Sequence, residues 1–243
     1  MAENITWNKI CFITGRDKMM KSYSVFDIIG PVMVGPSSSH TAGAARLGLM
    51  AQRLCGGDIT AVDFYLYGSF AKTYRGHGTD KALLAGILGI GPDDYRLKDS
   101  FEIAGEQGIK YHFIPTEGGE VQHPNTVTFL MWTKDARQFT VTGSSIGGGN
   151  VVITDVNGIR VFFTGEWPIL VTRHYDTPGV ISQITTLLYR NSVNIGNMRV
   201  QRIEGTDMAS MFIELDGEVE DSLAGRVRQI PGVQNVILLN DRF

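Results

Sequence analysis

Ile169-Leu170-Val171-Thr172-Arg173-His174 leads into Asp176-Thr177-Pro178-Gly179 and then into Val180-Ile181-Ser182-Gln183-Ile184. The apolar run reads as a strand, the Pro-Gly pair as a turn, and Val180 to Arg190 as a helix. Pro178 is placed in the first helical turn, where its missing N–H costs nothing. Going forward, Val193 to Arg202 reads as a strand, Gly205-Thr206 as a tight turn and Ala209 to Leu215 as the antiparallel mate. Glu218 to Gln229 is a second helix, Pro231-Gly232 breaks it, and Val233 to Leu239 is the last strand. The order βαββαβ is that of a ferredoxin-like split βαβ unit, placed at 168–243.

Going backward, Thr164-Gly165-Glu166-Trp167-Pro168 marks a boundary. Residues 22–163 begin helix-rich and become strand-rich, which predicts an α+β layered domain. Their focus is Gly35-Pro36-Ser37-Ser38-Ser39-His40-Thr41-Ala42-Gly43. A stretch with a break at Gly30-Pro31 leads in, and a helix from Ala44 to Leu54, stopped by Gly56-Gly57, leads out. Hydroxyls and N–H groups without intrahelical partners would converge at that helix start, where carboxylates and phosphates bind. The same serines and Thr41 equally suit a plain N-cap.

A strand is expected at Ile59 to Tyr67, then a glycine-rich loop from Gly68 to Asp80, with Thr79 and Asp80 as N-caps of a helix ending at Leu88. Leu97 to Gln107 reads as one helix stopped by Gly108, and Ile109 to Ile114 as a strand, with a turn at Thr116 to Glu120. Strands follow at Val127 to Thr133, Gln138 to Ser144, Val151 to Thr154 and Ile159 to Phe163. Ser144 to Asn150 reads as a glycine-rich loop, and Val156-Asn157-Gly158 as a turn. Met1 to Lys21 reads as an N-terminal extension.

A hydrophobic content of 43% with 19% charged residues places the 243-residue chain among ordinary globular proteins. A net charge of −3 leaves no basic footprint for nucleic acid. No run is long enough to span a membrane and no signal-type h-region opens the chain, so a cytoplasmic location is expected. Cys11 and Cys55 are too few for a disulfide framework or a self-contained cubane cluster. Cys55 reads as a buried, inert thiol. His40, His77, His112 and His123 lack metal-motif spacing, so no metal is expected on this chain. His123 suits a turn and His112 an exposed strand position. A Ser-His-Asp set from Ser38 or Ser39 with His77 and Asp80 lacks a nucleophile elbow.

Residues 168–243 resemble an ACT domain, carried by the Ile169 to His174 strand, Asp176-x-Pro178-Gly179 and Pro231-Gly232-Val233. The resemblance implies pairing of two such domains and a small ligand, usually an amino acid, at their interface. Gly179 and Val180 N–H groups would take a carboxylate, Asp176 an ammonium group, with Asn194 and Asn197 reaching across from a neighbouring strand. Asp176 capping its helix, and Asn194 and Asn197 as turn residues, are the plainer alternatives. Val233, Val236, Leu238 and Leu239 are expected to supply apolar surface for self-association.

With that segment, Gly35 to Gly43 resembles the opening motif of iron–sulfur-dependent L-serine dehydratases. Gly68-Ser69-Phe70-Ala71, Gly76-His77-Gly78-Thr79-Asp80, His123-Pro124-Asn125-Thr126 and Ser145-Ile146-Gly147-Gly148-Gly149 extend the resemblance to the beta chain of the two-chain form. A domain of this type is an allosteric substrate-binding domain in some phosphoglycerate dehydrogenases. The resemblance implies conversion of L-serine to pyruvate and ammonia, with a [4Fe–4S] cluster acting on the serine hydroxyl. Two cysteines cannot ligate it, so it is expected on a partner alpha chain, with this chain inactive alone. Ser37, Ser38, Ser39, His40, Thr41 and His77 are the expected contributions to a shared catalytic site. The alternative is a free-standing amino-acid-sensing protein that binds serine without catalysis.

Overall fold

The computed structural model describes residues 33, 35, 37–117, 123–217 and 219–240. The expected extension at 1–21, the Gly30-Pro31 break, Cys11, Gly118 to Glu120 and the expected helix start at Glu218 lie outside the described residues.

A π-helical turn, Ser38–Ala42, runs without interruption into α1, Gly43–Cys55. Gly56 closes α1 in the left-handed conformation, φ 61°, the role a glycine fills without a Cβ penalty. There follow β1 (Ile59–Leu66), α2 (Gly68–Thr73), α3 (Thr79–Ile87), a 3-10 turn (Tyr95–Asp99), α4 (Ser100–Glu106) and β2 (Lys110–Pro115). Strands β3 (Thr126–Thr133), β4 (Gln138–Gly147), β5 (Asn150–Val156) and β6 (Ile159–Phe163) complete a six-stranded sheet of order β2-β1-β3-β4-β5-β6. The β1–β2 pair is parallel, joined by the α2 to α4 crossover; the other pairs are antiparallel.

Helix α1 packs on β4 and β5 and against α3. The two helices meet backbone to backbone. A Cβ at Gly86 would lie 2.3 Å from the Ala45 carbonyl oxygen, and one at Gly48 2.4 Å from that of Leu83. Only glycine permits such an approach.

The second sheet contains β7 (Ile169–Tyr175), β8 (Asn194–Arg202), β9 (Met208–Asp216) and β10 (Val233–Leu239), with α5 (Val180–Arg190) and α6 (Ser222–Arg228). Its order is β10-β7-β9-β8, all antiparallel, the expected ferredoxin-like α+β arrangement. Alternation along the strands sorts two faces. Leu170, Met211, Ile213 and Val236 pack with Val180, Ile184 and Leu188 of α5 and Leu223 and Val227 of α6. Ile169, Phe212 and Leu239 face the other way and belong to the core of the six-stranded unit.

Several expectations need correction. Gly68 to Thr73 is helical because the Pro124 carbonyl takes the N–H groups of Ser69 (2.7 Å) and Phe70 (3.4 Å), a tertiary support that six residues cannot announce. The N-cap of α3 is Gly78, φ 68°; Thr79 and Asp80 lie inside the helix. The stretch from Leu97 to Gln107 divides into the 3-10 turn and α4. Ser144 to Gly147 continues β4, and Gly147 pairs with Asn150, so only Gly148-Gly149 forms the turn. Both have positive φ, as a type I′ hairpin requires. Pro178 precedes the Gly179 N-cap, so it stands outside the first turn of α5. Val233, Val236 and Leu239 are buried in the two cores, so of the four only the half-buried Leu238 is left to offer apolar surface for association. The exposed apolar pair Met198 and Val200 lies on the opposite edge strand, β8. No helix among the described residues is long and apolar enough to cross a membrane.

Candidate functional site

The fold gathers the five motif segments at the N-terminal end of α1. Ser37 caps the π-helical turn: its Oγ accepts the His40 N–H at 3.2 Å and its carbonyl accepts the Thr41 N–H at 2.9 Å. The N–H groups of Ser38 and Ser39 occupy the first turn, where helix geometry provides no acceptor. Capping and an anion-ready N-terminus are thus one structure here.

His40 is the hub. Its Nδ1 lies 3.1 Å from Ser39 Oγ and its Nε2 3.0 Å from Ser69 Oγ on α2. Its ring meets Phe70 edge-on at 5.5 Å and the His77 ring at 4.9 Å. Thr41 Oγ1 donates to the His77 carbonyl at 3.3 Å, tying the turn to the loop before α3. Ser69 is held in turn by its N–H to the Pro124 carbonyl. A Cβ on Gly68, φ 55°, would lie 2.6 Å from that same oxygen, so the α2 start needs glycine twice over.

The His123 to Thr126 and Ser145 to Gly149 segments form the floor. His123 Nδ1 accepts the Asn125 N–H at 3.2 Å, the turn-shaping role expected of it. Ser145 donates its N–H to the Asn125 carbonyl at 2.9 Å, and Thr126 and Ser144 hydroxyls meet at 2.7 Å. A Cβ on Gly43 would land 2.0 Å from Ser145 Oγ. Arg46, one turn into α1, donates Nη1 to the Gly149 carbonyl at 2.9 Å and so holds the Gly148-Gly149 turn. Thr79 Oγ1, Asn125 Oδ1 and Ser145 Oγ are buried with no hydrogen-bond partner among the described residues. Buried polar atoms usually have a partner, so these three leave hydrogen-bonding capacity open beside the turn.

Burial lowers the His40 pKa below its ordinary value, and the neighbouring His77 adds to that lowering. That lowering favours the neutral ring, in which one nitrogen donates and the other accepts. Burial raises the Asp80 pKa against the lowering effect of the Lys81 N–H, which donates to Oδ1 at 2.8 Å. His77 itself is exposed, and its ring touches His40 rather than a serine, so no Ser-His-Asp line forms.

His112 is exposed on β2 and pairs with Asp63 at 2.8 Å. Cys55 is buried, and burial raises its thiol pKa, the inert behaviour expected of it. A cubane cluster needs several thiolates. The chain has two cysteines and the described one is buried, so this donor set does not fit the cluster. No group of three or more potential metal ligands gathers among the described residues.

In the second unit, Asp176, Gly179 and Val180 stand together at one end of the sheet. Asn194 and Asn197 stand at the other, since Asn197 pairs with Glu214, itself opposite Ile169. Asn194 donates to Asp216 at 2.6 Å. One chain therefore does not bring the five together. The neighbour of Asp176 is Arg202, whose Nε donates to Oδ2 at 2.5 Å.

Ser69, Asn125 and Ser145 are the site residues that motif reading quoted without assigning a role. Each follows a residue that bends the chain or lies beside a glycine run, and that was their signal.

Residues 24–112 match the serine dehydratase beta chain family model, and 169–232 match the ACT domain model. The chain is 40% identical to the L-serine dehydratase beta chain of Peptoniphilus asaccharolyticus, covering 86% of this chain and 94% of that one. It is 40% identical to a probable L-serine dehydratase beta chain of Bacillus subtilis, covering 91% and 100%. It is 26% identical to a D-3-phosphoglycerate dehydrogenase of Methanocaldococcus jannaschii, covering 81% of this chain and 37% of that one. At 40% identity over nearly the whole of two L-serine dehydratase beta chains, the chain belongs to the L-serine dehydratase beta-chain family.

Proposed function

We propose that this chain is the beta subunit of an L-serine ammonia-lyase that converts L-serine to pyruvate and ammonia, with the [4Fe–4S] cluster on a separate alpha chain. The supporting observation is the His40 imidazole held between the Ser39 and Ser69 hydroxyls at 3.1 and 3.0 Å at the start of α1. In this reading the α1 start faces the partner. The Ser38 and Ser39 N–H groups bind the substrate carboxylate, helped by the positive helix end. His40 accepts a proton at one ring nitrogen while the serine on the other nitrogen fixes its tautomer. Ser37 and Thr41 hold the turn, and His77 adds to the burial that lowers the His40 pKa. Loss of the α-proton and the β-hydroxyl as water gives an enamine, whose hydrolysis yields pyruvate and ammonia.

The ACT domain serves regulation or assembly. Its self-association uses the exposed β8 edge, and a second copy then supplies Asn194 and Asn197 to the Asp176, Gly179 and Val180 end. We divide the chain at 22–163 and 168–243; the six-stranded sheet ending at Phe163 and the four-stranded sheet starting at Ile169 support that division.

The test is co-expression with a cysteine-bearing alpha chain. The pair should turn over L-serine, and His40→Ala should lower kcat by about a hundredfold or more. This chain purified alone should carry no iron and form no pyruvate. Turnover by the lone chain, or full activity of the His40→Ala pair, refutes the reading.

A further inference from the structure

A cleft of about 650 Å³ lies between the two sheets, away from the His40 site. Its floor is the face of the four-stranded sheet that points away from α5 and α6. Strand register sets Gln201, Ser210, Arg173 and Asn235 in one line across β8, β9, β7 and β10. All four line the cleft. The next line across the same face is apolar at Phe212, Val171 and Ile237. Opposite, the β3–β4 hairpin supplies Arg137 and Phe139, and the β5–β6 hairpin supplies Asn157.

Every polar member except Glu204 can donate a hydrogen bond. Asn157 already uses its carbonyl oxygen on the Thr140 N–H at 2.8 Å, which leaves its amide nitrogen to donate. Arg137 is paired with Asp135 at 2.6 Å and Arg202 with Asp176 at 2.5 Å. Arg173 has no ion pair among the described residues and is exposed to the cleft, at the centre of the polar line. A planar guanidinium without a partner, flanked by amides and a hydroxyl, matches a carboxylate through two parallel N–H···O bonds. The apolar line beside it, with Phe139 above, matches a hydrocarbon body. The lining is about evenly divided between polar and apolar side chains, which suits a ligand with a charged head and a hydrocarbon body.

The cleft also touches the far end of α1. Leu54 lines it, and a Cβ on Gly56 would meet Ile237 at 3.2 Å. The helix carries the His40 turn at its other end, roughly 20 Å away at 1.5 Å per residue.

We propose that this cleft binds a small organic carboxylate with an apolar side chain, the carboxylate on Arg173 and the hydrocarbon between Phe139 and Phe212. The proposal stands independently of the lyase reading, because binding needs neither the cluster nor turnover. Glu204 on the rim adds one distinction. It would accept from the ammonium group of an amino acid and give nothing to a simple carboxylate.

The experiment is calorimetric titration of the full chain with 4-methylpentanoate, with L-leucine, and with the neutral 4-methylpentanol. Saturable binding of either carboxylate is expected, with Arg173→Ala weakening it by about tenfold or more and Arg173→Lys restoring part of the loss. Tighter binding of L-leucine, lost in Glu204→Gln, supports the proposal with Glu204 as a second contact. Tighter binding of 4-methylpentanoate supports it without that contact. Equal binding of the alcohol, no binding of either carboxylate, or an unchanged affinity in Arg173→Ala overturns it. Arg173 is exposed and has no ion pair among the described residues, so its variants should unfold at the wild-type temperature, which separates loss of binding from loss of fold.

Discussion

Replacing Gly43 with alanine should strike the site through its floor. The new Cβ would lie 2.0 Å from Ser145 Oγ, 2.8 Å from Ser145 Cβ and 3.5 Å from the Ser38 carbonyl oxygen. Carbon contacts are comfortable at about 3.5–4.0 Å, so a relief of roughly 1 Å or more is needed. Rotating Ser145 removes the Oγ clash but not the clash with its Cβ. The Ser145 backbone cannot yield easily, because it is paired with Val151 and donates to the Asn125 carbonyl at 2.9 Å. What moves instead is the start of α1, with the Ser38–Ala42 turn attached. Overpacking of this kind costs about 1–3 kcal/mol. Urea unfolding of the chain should show that loss as a lower midpoint with an unchanged slope. Activity of the assembled enzyme should fall with it, because His40 moves away from Ser69. Replacing Ser145 with glycine makes room, and its Oγ has no partner to lose. Gly43→Ala and Ser145→Gly should therefore couple favourably by about 1 kcal/mol or more in a double-mutant cycle. A Gly43→Ala variant within about 0.5 kcal/mol of wild type, or a strictly additive cycle, would refute the argument.

The remaining predictions concern charge, packing and association. His77→Ala removes one of the two causes that lower the His40 pKa, the smaller one, so the acid limb of kcat/KM should move to higher pH while staying below that of free histidine. A limb that stays put would show that His40 is not the group being titrated. The lowered His40 pKa also fixes a stability sign. The unfolded chain binds the proton more readily, so His40's share of stability is present above about pH 6.5 and is lost as pH falls through the lower folded value. In His40→Asn, urea midpoints measured across that window should lose this part of the pH slope. Gly86→Ala would place a Cβ 2.3 Å from the Ala45 carbonyl oxygen and 2.5 Å from the Leu49 nitrogen, both backbone atoms that cannot turn aside. Calorimetry should then show a Tm lower by about 6 °C or more. Val200→Lys on the exposed β8 edge should shift sedimentation toward the smaller species, since an edge charge opposes strand pairing; an unchanged distribution would place the interface elsewhere.

Where local chemistry alone specifies an element, the sequence was sufficient. Asn157-Gly158 between two apolar runs sets Ile159–Phe163 to the residue, and the apolar stripe after Gly179 sets Val180–Arg190. Where a distant residue completes the element, it was not. Helix α2 exists because Pro124, far along the chain, accepts its first N–H groups. The glycines at 147–149 look like a long loop until the register shows β4 continuing to Gly147. The site shows the same divide. His40 and its serines stand in one motif, but the Ser69 contact spans 29 positions and comes only with the crossover. Asn194 and Asn197 failed as partners of Asp176 within one chain because register, which a single strand pattern cannot fix, sends them to the opposite end of the sheet.

The apolar positions that the second sheet lends to the first have a practical consequence for anyone wishing to dissect this subunit. Ile169, Phe212 and Leu239 complete the hydrophobic interior around α1 and the six strands, and Phe163 stacks on Phe212 at 6.3 Å. A truncation just after Phe163 would therefore strip a greasy wall bare rather than release an unregulated catalyst. The shortened polypeptide should be sticky and short-lived, and its poor performance would say nothing about whether the missing module ever sensed a metabolite. Point substitutions that leave those three side chains in place are the cleaner way to silence the module.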